Sequence, residues 1–518
     1  MSTFMGLETS KRGLFTQQSA LYTTGHNISN ANTLGYSRQR VNMQATAGFP
    51  GTGQSVGTMP GFIGTGVEAG SIQRIRDGFV DQQYRQENNK LGYWESQTKA
   101  ISQMEDVLNE PSEYGLQKSL SEFWQSLQDL AVNPENGGAR SVVVQRGQAV
   151  ADSFNYMHKS LTEIQTNLGK EIDVSTVQVN SILKQISELN NQIQKVEPNG
   201  YLPNDLYDAR DALLDELSGY FPIETESKPS GGRALAVAEG SVTVSMKING
   251  ESVVLVEGRQ AATLETNPKP LVGEDKSNLP ITGITISPVS GEDSIPLGHT
   301  DLLNSGKLKS MMNAYGTADG GAGGAKGLYP DMITKINDMA KAFAEKFNEI
   351  HRGGSGLPPE NESGINFFSP WDETNVATSS TLTAGNIKVN DYILADSSRL
   401  AASTVPNEEG NGKNAKRLGE VQFDALDSLD GATIQTYFQG VIGQLGVDGQ
   451  QAERMTFNTE TLKGAVEQRR ASISSVSLDE EMTNMIKFQQ AYNASARMIT
   501  VVDEILDKII NGMGRVGM

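Results

Sequence analysis

The sequence lacks cysteine, has few aromatic residues and contains no long apolar run. With no Cys among 518 residues, disulfide scaffolds, thiol nucleophiles, iron–sulfur clusters and Cys-ligated zinc are excluded. Aromatic residues make up 6% and apolar residues 37% of the chain, below the roughly 45–50% apolar content of globular proteins. Apolar runs such as Val253–Val256 are far shorter than the ~18 residues of a membrane helix. This composition predicts an elongated protein of three or four domains with thin cores and no membrane insertion.

The charge and the motifs argue against nucleic-acid binding and against catalysis. Forty-three Lys and Arg face 62 Asp and Glu, giving a net charge of −19, and phosphate binding needs a positive surface. The acidic stripe at positions 205, 208, 211 and 215 has Arg210 interleaved and is interpreted as a solvated helix face. No P-loop, EF-hand loop or paired-ligand motif is present, so no catalytic, cofactor-binding or metal-binding residue is predicted. Surface roles are expected for the four scattered histidines, His26, His158, His299 and His351.

Helical periodicity dominates the chain. Apolar residues recur at three- and four-residue spacing from Val150 to Val196, and the proline-free stretch between Pro134 and Pro198 allows one helix of about 55 residues, roughly 80 Å long. Shorter stretches with the same apolar spacing cover residues 94–108, 116–130 and 333–350. Narrow apolar stripes on long helices predict a slender bundle.

Between Pro222 and His299 the apolar period changes to two. Alternating residues from Val242 to Ile248 precede Asn249-Gly250 and a second strand-like run, which is a strong hairpin signal. We therefore predict a small β domain, residues 224–303, inserted into the helical frame. The Gly-rich segment 316–327 is interpreted as its return linker. A second Gly-rich zone at 48–70 predicts a loop or a loose hairpin, and residues 353–417 give no assignable pattern.

Heptad stripes mark both ends of the chain. Ser477 and Glu480 form a capping-box pattern that starts a C-terminal helix of about 30 residues, with Gly512 as its stop. Each stripe is too narrow to be stable alone in water, so the pattern allows either an intramolecular coiled coil or self-assembly between subunits. The N-terminal stripe consists of Leu7, Leu14, Leu21 and Ile28, flanked by Phe4; the C-terminal stripe consists of Met485, Phe488, Tyr492, Ile499, Val502, Leu506 and Ile509.

Two terminal segments resemble a known family. The stretch ALYTTGHNISNANTLGYSRQRV, residues 20–41, and the stretch SLDEEMTNMIKFQQAYNASARMITVVDEILDKIIN, residues 477–511, are similar to the end signatures of flagellar axial proteins, which comprise rod, hook and hook-associated proteins. GYSRQ with FQQAYNASAR resembles the hook-associated members. Internal stretches agree, including FWQSLQDLAVNPENGGAR (123–140) and PNDLYDARDALLDELS (203–218), whereas the β insert matches no motif of the family.

The resemblance implies a non-enzymatic structural protein that joins the flagellar hook to the filament. It implies export by the flagellum's own apparatus and an extracellular location, although the absence of an apolar secretory segment, taken alone, predicts a cytosolic protein. The implied partners are further copies of the chain, hook protein, a second junction protein and an export chaperone on the C-terminal helix. The alternatives are another axial protein, such as hook or rod, and a secreted enzyme or adhesin whose activity lies in the insert.

The resemblance also implies an organisation and a set of interface residues. Residues 1–40 and 477–518 would form a coiled-coil inner-tube domain, residues 41–223 and 304–476 a long helical bundle, and residues 224–303 the surface-exposed insert. The apolar residues of the two stripes, together with Asn27, Asn30, Gly35 and Tyr36 of the N-terminal signature, would contact neighbouring subunits. We further expect the ends to be disordered until assembly, and the insert to be dispensable for it.

Overall fold

The fold is mainly α-helical with small antiparallel sheets. The structure is a computed structural model and describes residues 4–48, 64–108, 115–248, 251–267, 283–287, 289, 295–298, 305–318, 325–359, 361–370 and 382–512. The α-helices within these ranges are α1 (Met5–Ser29), α2 (Gly78–Leu108), α3 (Leu116–Val132), α4 (Gly137–Val196), α5 (Asn204–Tyr220), α6 (Lys307–Tyr315), α7 (Leu328–Arg352), α8 (Asp391–Ala395), α9 (Lys413–Glu420), α10 (Ile434–Ser474) and α11 (Leu478–Asp507).

The strands of the described ranges pair in five separate sheets. β1 with β2, β10 with β11, and β12 with β13 each form a two-stranded antiparallel sheet, while β3-β4-β5-β6 and β7-β8-β9 form larger ones. The bounds are β1 (Gln39–Ala45), β2 (Val67–Arg74), β3 (Glu224–Lys228), β4 (Ser241–Ile248), β5 (Glu251–Glu257), β6 (Gln260–Ala261), β7 (Thr263–Asn267), β8 (Gly283–Ser287), β9 (Ile295–Gly298), β10 (Thr317–Ala318), β11 (Ala325–Lys326), β12 (Phe368–Pro370) and β13 (Ile387–Val389).

Helix α4 is the 60-residue backbone of the molecule and confirms the predicted long helix. It begins after Asn136, whose side-chain oxygen accepts hydrogen bonds from the backbone N–H groups of Gly138 and Ala139, so two otherwise unpaired donors are satisfied. It ends at a 3₁₀ turn that contains Pro198. Its first half contributes to one hydrophobic core and its second half to another.

The first core lies among α3, α4, α7 and the chain after α7. Five phenylalanines meet there with centroid distances between 4.8 and 6.3 Å, and their side chains are fully buried. Gly147 on α4 leaves room for them, because a Cβ at that position would lie 2.7 Å from Phe367 Cε1. The phenylalanines are Phe123, Phe343, Phe347, Phe367 and Phe368. The segment that the sequence left unassigned therefore completes this core, with β12, β13 and α9 packed on the helices.

His351 at the end of α7 corrects the predicted surface role. Its side chain is 1% exposed. Nδ1 donates to the carbonyl of Ile365 (2.8 Å), while Nε2 accepts from the backbone N–H of Ala401 (3.1 Å). Burial lowers the pKa of His351 to about 4, so the ring is a neutral crosslink between α7 and the chain that follows it.

The second core joins the strands of the predicted insert to α4, α5 and α6. β4 and β5 pair from Ile248↔Glu251 onward, which confirms the hairpin, although its Asn-Gly turn lies outside the described residues. Two asparagines of α4 each use their side-chain amide to donate to the carbonyl and to accept from the N–H of one strand residue. Asn190 does so with Val242, and Asn180 with Leu264, at 2.8 to 3.0 Å. The strands thus share their core with the helical frame, and the division into a bundle and an insert stays a prediction.

The two Gly-rich zones form hairpins where the structure describes them. β1 pairs with β2 across the first zone, as predicted, and its tip lies outside the described residues. β10 pairs with β11 in the second zone, where we expected only a linker. Both chain ends are helices that pack on each other, α1 against α11, which differs from the disordered ends expected of the isolated chain.

Candidate assembly interface

The pairing of α1 with α11 follows a strict antiparallel heptad register. A Cβ on Gly6 would lie 3.6 Å from Val502, and one on Gly13 would lie 3.3 Å from Ser495. One end of the seam is polar, since Asn27 Nδ2 donates to Glu481 Oε2 at 3.2 Å. The same seven-residue steps place Ala20, which is buried, opposite Phe488. Small residues on α1 thus let the two helices approach closely.

The predicted interface residues lie at different depths around this seam. The four residues of the N-terminal stripe each follow a seam residue of α1 by one position. They therefore lie beside the seam and are half-buried. Asn30 and the C-terminal residues Met485, Phe488, Tyr492, Ile499 and Val502 are also half-buried, and Leu506 is buried. Phe4, Gly35 and Ile509 are exposed.

Asn27 and Tyr36 are occupied by contacts within the chain. Asn27 is 1% exposed; its Oδ1 accepts from Tyr36 Oη (2.7 Å) and from the backbone N–H of Gln39 (3.0 Å), and its Nδ2 donates to the Gln39 carbonyl (2.8 Å). Burial and the nearby Asp205, together with further carboxylates, raise the pKa of Tyr36, so the phenol keeps its proton. Asn27 is therefore buried by contacts within the chain, and its predicted contact with a neighbouring subunit stays a prediction.

The signature GYSRQ forms a joint that ties both chain ends to the bundle. Gly35 turns the chain at φ +80°, a conformation that favours glycine. Next to it, the Ser37 N–H donates to Asp208 of α5 (3.1 Å). Arg38 donates to Glu480 (2.6 Å) and Glu481 (2.7 Å) in the first turn of α11. These residues thus connect α1, α5 and α11.

The predicted capping box at the start of α11 is wrong. Ser477 does precede the helix, but its side chain makes no capping hydrogen bond. Glu480 reaches across to Arg38 instead, and the buried Glu481 accepts from both Arg38 and Asn27. The carboxylates in this first turn are favourably placed beside the positive end of the helix dipole.

The acidic stripe of α5 is a buried ion-pair network, which corrects its interpretation as a solvated face. Asp211 is 8% exposed and lies 2.9, 2.8 and 3.3 Å from the guanidinium groups of Arg74, Arg76 and Arg85. Arg76 and its fellow cations hold the pKa of Asp211 well below its usual range despite its burial. Asp205 alone of the four is exposed, and it accepts from Gln39 Nε2 at 3.2 Å.

The network extends through five elements. Asp208 pairs with Arg74 (2.6 Å), and Asp215 pairs with Arg85 (2.9 Å) and with Arg470 of α10 (2.7 Å). The arginines come from β2, the segment after it, α2 and α10, more than 100 residues away in sequence from the acids. No local pattern could reveal this pairing; the only sequence signal was a run of acids on one helix face within a family-like motif.

No helix in the described ranges is long and apolar enough to span a membrane.

Comparisons with known proteins agree with this architecture. The family model of the flagellar hook-associated protein FlgK helical domain matches residues 101–368, and that of the flagellar basal body rod FlgEFG protein C-terminal region matches residues 467–512. Flagellar hook-associated protein 1 of Bacillus subtilis is 43% identical over 520 residues, covering 99% of both chains. The Escherichia coli protein of that name is 24% identical over 96% of this chain and 98% of its own. The solved flagellar hook junction protein FlgK of Burkholderia pseudomallei has a TM-score of 0.58 at 12% identity, covering 76% of this chain and all of that one.

A long helical frame closed by paired terminal helices, together with these matches, defines a structural protein of the bacterial flagellum of the hook-associated class. Among flagellar hook-associated proteins, the chain belongs to the hook-associated protein 1, or FlgK, family. None of the matches supports a hook or rod protein in its place, or an enzyme or adhesin in the strands.

Proposed function

We propose that this protein is the adaptor that joins the flagellar hook to the filament outside the cell. End-to-end identity of 43% with a hook-associated protein 1 supports this role. Hook protein would lie on one side of a ring of these subunits and the second junction protein, FlgL, on the other. Subunits would meet through heterologous, head-to-tail contacts, which generate rings and helical tubes.

The observation that carries the proposal is the apolar surface that remains after α1 and α11 have paired. On α1, Phe15 and Tyr22 are 54% and 72% exposed. On α11, Met498, Val501 and Ile505 lie three and four residues apart and are each about half exposed. Contiguous exposed apolar surface of this kind marks an interaction site, and neighbouring subunits would cover it.

The predicted interface residues divide accordingly. The exposed Phe4, Gly35 and Ile509, and the half-buried residues of both stripes, stay in the proposed interface between subunits. Asn27 and Tyr36 would contribute to it indirectly, because their hydrogen bond stabilises the joint within the chain. Before export, a chaperone would bind α11, because its outer face would otherwise self-associate.

The test is complementation of a strain that lacks this gene, with electron microscopy of its flagella. We expect Val501→Asp combined with Ile505→Asp to leave hooks without filaments, since two charges on the outer face would prevent burial between subunits. Removing residues 483–518 should have the same effect and leave the bundle folded, because neither hydrophobic core contains an α11 residue.

The matched control is Val177→Asp on α4, where the side chain is 69% exposed. It should restore motility, and all three proteins should be secreted. Full motility of the α11 double variant would refute the proposed interface, whereas absent hooks would favour a rod or hook role.

A further inference from the structure

The apolar pattern of the α1–α11 pair does not by itself determine its register. Glu481, Phe488, Ser495, Val502 and Ile509 are spaced seven apart. In the observed register Val502 lies against Gly6, so Ile509 projects beyond the first described turn of α1 and is 38% exposed. Sliding α11 by one heptad, about 10.5 Å at 1.5 Å per residue, would place Ile509 against Gly6 and Val502 against Gly13. This slip keeps the heptad phase of α11 as far as Val502 and would bring Ile509, in the π-helical turn Lys508–Gly512 after α11, next to Gly6.

The polar end of the seam distinguishes the two registers. In the observed one, Glu481 is 2% exposed and both of its oxygens are occupied, by Arg38 Nε (2.7 Å) and by Asn27 Nδ2 (3.2 Å). In the slipped register Phe488 would lie opposite Asn27, so Asn27 Nδ2 would keep only the Gln39 carbonyl, and the buried Glu481 would lose both Asn27 and Arg38. Leaving buried polar groups unpaired is costly, and a single buried polar position can specify the register of a coiled coil.

We propose that the Asn27–Arg38–Glu481 cluster is a register lock, which holds α11 in one of two heptad registers on α1. The cluster lies on a fixed part of the molecule, because Arg38 also donates its backbone N–H to the Ser474 carbonyl (2.8 Å) and accepts from the Ile75 N–H (2.8 Å). α11 is therefore positioned relative to the bundle as well as to α1. This inference concerns the single chain and does not depend on the proposed function.

Disulfide trapping can read the register directly, because the chain has no cysteine of its own. Gly13→Cys with Ser495→Cys reports the observed register, in which a Cβ at 13 lies 3.3 Å from the Ser495 hydroxyl oxygen, within the reach of a disulfide. Gly13→Cys with Val502→Cys reports the slipped register. Both pairs are oxidised in the full-length chain at low protein concentration, and the intramolecular disulfide is quantified by peptide mass spectrometry.

We expect the 13–495 pair to form and the 13–502 pair to be scarce in the otherwise unaltered chain. Glu481→Leu should raise the ratio of 13–502 to 13–495 disulfide by about tenfold or more, from the loss of the charged hydrogen bonds. Arg38→Leu, which leaves Glu481 buried without its cation, should act in the same direction and covers the case in which Glu481→Leu is poorly folded. Glu504→Leu, the same change at an exposed position of α11, should leave the ratio unchanged.

Two results would overturn the lock. An unchanged ratio in both Glu481→Leu and Arg38→Leu would show that the cluster does not specify the register. Equal formation of the two disulfides in the unaltered chain would show that no register is selected.

Discussion

At the scale of single residues, neighbours remote in sequence decide what a charged side chain does. Asp211 and the exposed Asp205 lie six residues apart on α5, yet only Asp211 is surrounded by three arginines. Because those cations depress its pKa, the stability that Asp211 contributes is present above the pKa of about 3.9 in the unfolded chain. That contribution is lost as the pH falls through the depressed pKa of the folded state.

We expect Asp211→Asn to lower the free energy of unfolding by about 3–5 kcal/mol, because three largely buried guanidinium groups each lose one of the carboxylates that neutralise them. Urea denaturation followed by circular dichroism measures this change. The matched control is Asp205→Asn, which should change stability by less than about 1 kcal/mol because its carboxylate is exposed. Equal effects of the two substitutions would contradict a stabilising role for the buried network.

His351 makes the fold sensitive to mild acid. Its pKa is lowered to about 4 by burial, whereas in the unfolded chain it is about 6.5. Between these values the unfolded state binds the additional proton, so stability falls as the pH is lowered from 6.5 to 4. The loss attributable to this ring is at most about 3 kcal/mol, at 1.36 kcal/mol per pKa unit.

The measurement is the free energy of unfolding of the native chain and of His351→Gln at pH 7 and at pH 4.5. His351→Gln should be less stable at pH 7, because the two backbone groups lose their imidazole partner, and should show a smaller drop on acidification. His26→Gln, at an exposed ring, serves as the control and should keep the native drop. Identical pH dependence in all three proteins would contradict the role of His351.

These residue roles mark the limit of what the sequence could show. The heptad of Phe488, Val502 and Ile509 was readable, because these apolar side chains lie on one seven-residue repeat. The burial of His351 was not, since Ile365 and Ala401, which hydrogen-bond its ring, belong to a segment without periodicity. The N-terminal seam was missed by one residue because Gly6 and Gly13 carry no apolar side chain to mark it.

At the scale of elements, α4 and the strands depend on each other. Ile182, Leu183 and Ile186 of α4 are fully buried in the core that the strands complete. Both larger sheets are attached to the helix through hydrogen bonds from the side-chain amides of Asn180 and Asn190 to strand carbonyls. The period-two pattern correctly indicated strands. It shows that one face of these strands is apolar, but it could not reveal that this face packs against α4.

We therefore expect replacement of residues 224–303 by a short Gly/Ser linker to lower the thermal midpoint and to reduce the helical circular dichroism signal. This differs from the dispensability expected from the sequence. Each large aliphatic side chain of α4 returned to water would lose about 1.5–3 kcal/mol. Differential scanning calorimetry and far-UV circular dichroism provide the measurement. Glu226→Ala, on the exposed strand β3, is the control and should unfold like the native chain. If the shortened protein kept the thermal midpoint of the native chain, the prediction that residues 224–303 are dispensable would be supported instead.

At the scale of the whole molecule, apolar burial and charge pairing hold different parts of the chain together. The two hydrophobic cores lie along α4, whereas the chain ends connect to the bundle through carboxylates, guanidinium groups and amides. The family was recognisable from its terminal motifs. What those motifs do within one chain became visible only when residues 35–39, α5 and α11 were seen in contact.

The unbroken course of α4 has a mechanical consequence. Its 60 residues span about 90 Å and contain no proline, the commonest cause of a sharp kink. A helix without such a kink bends only gently. A rotation of the core at one end of α4 would therefore also rotate the core at its other end. Bending stress at one end of this molecule is therefore felt as displacement at the other, rather than being absorbed by a flexible linker between them.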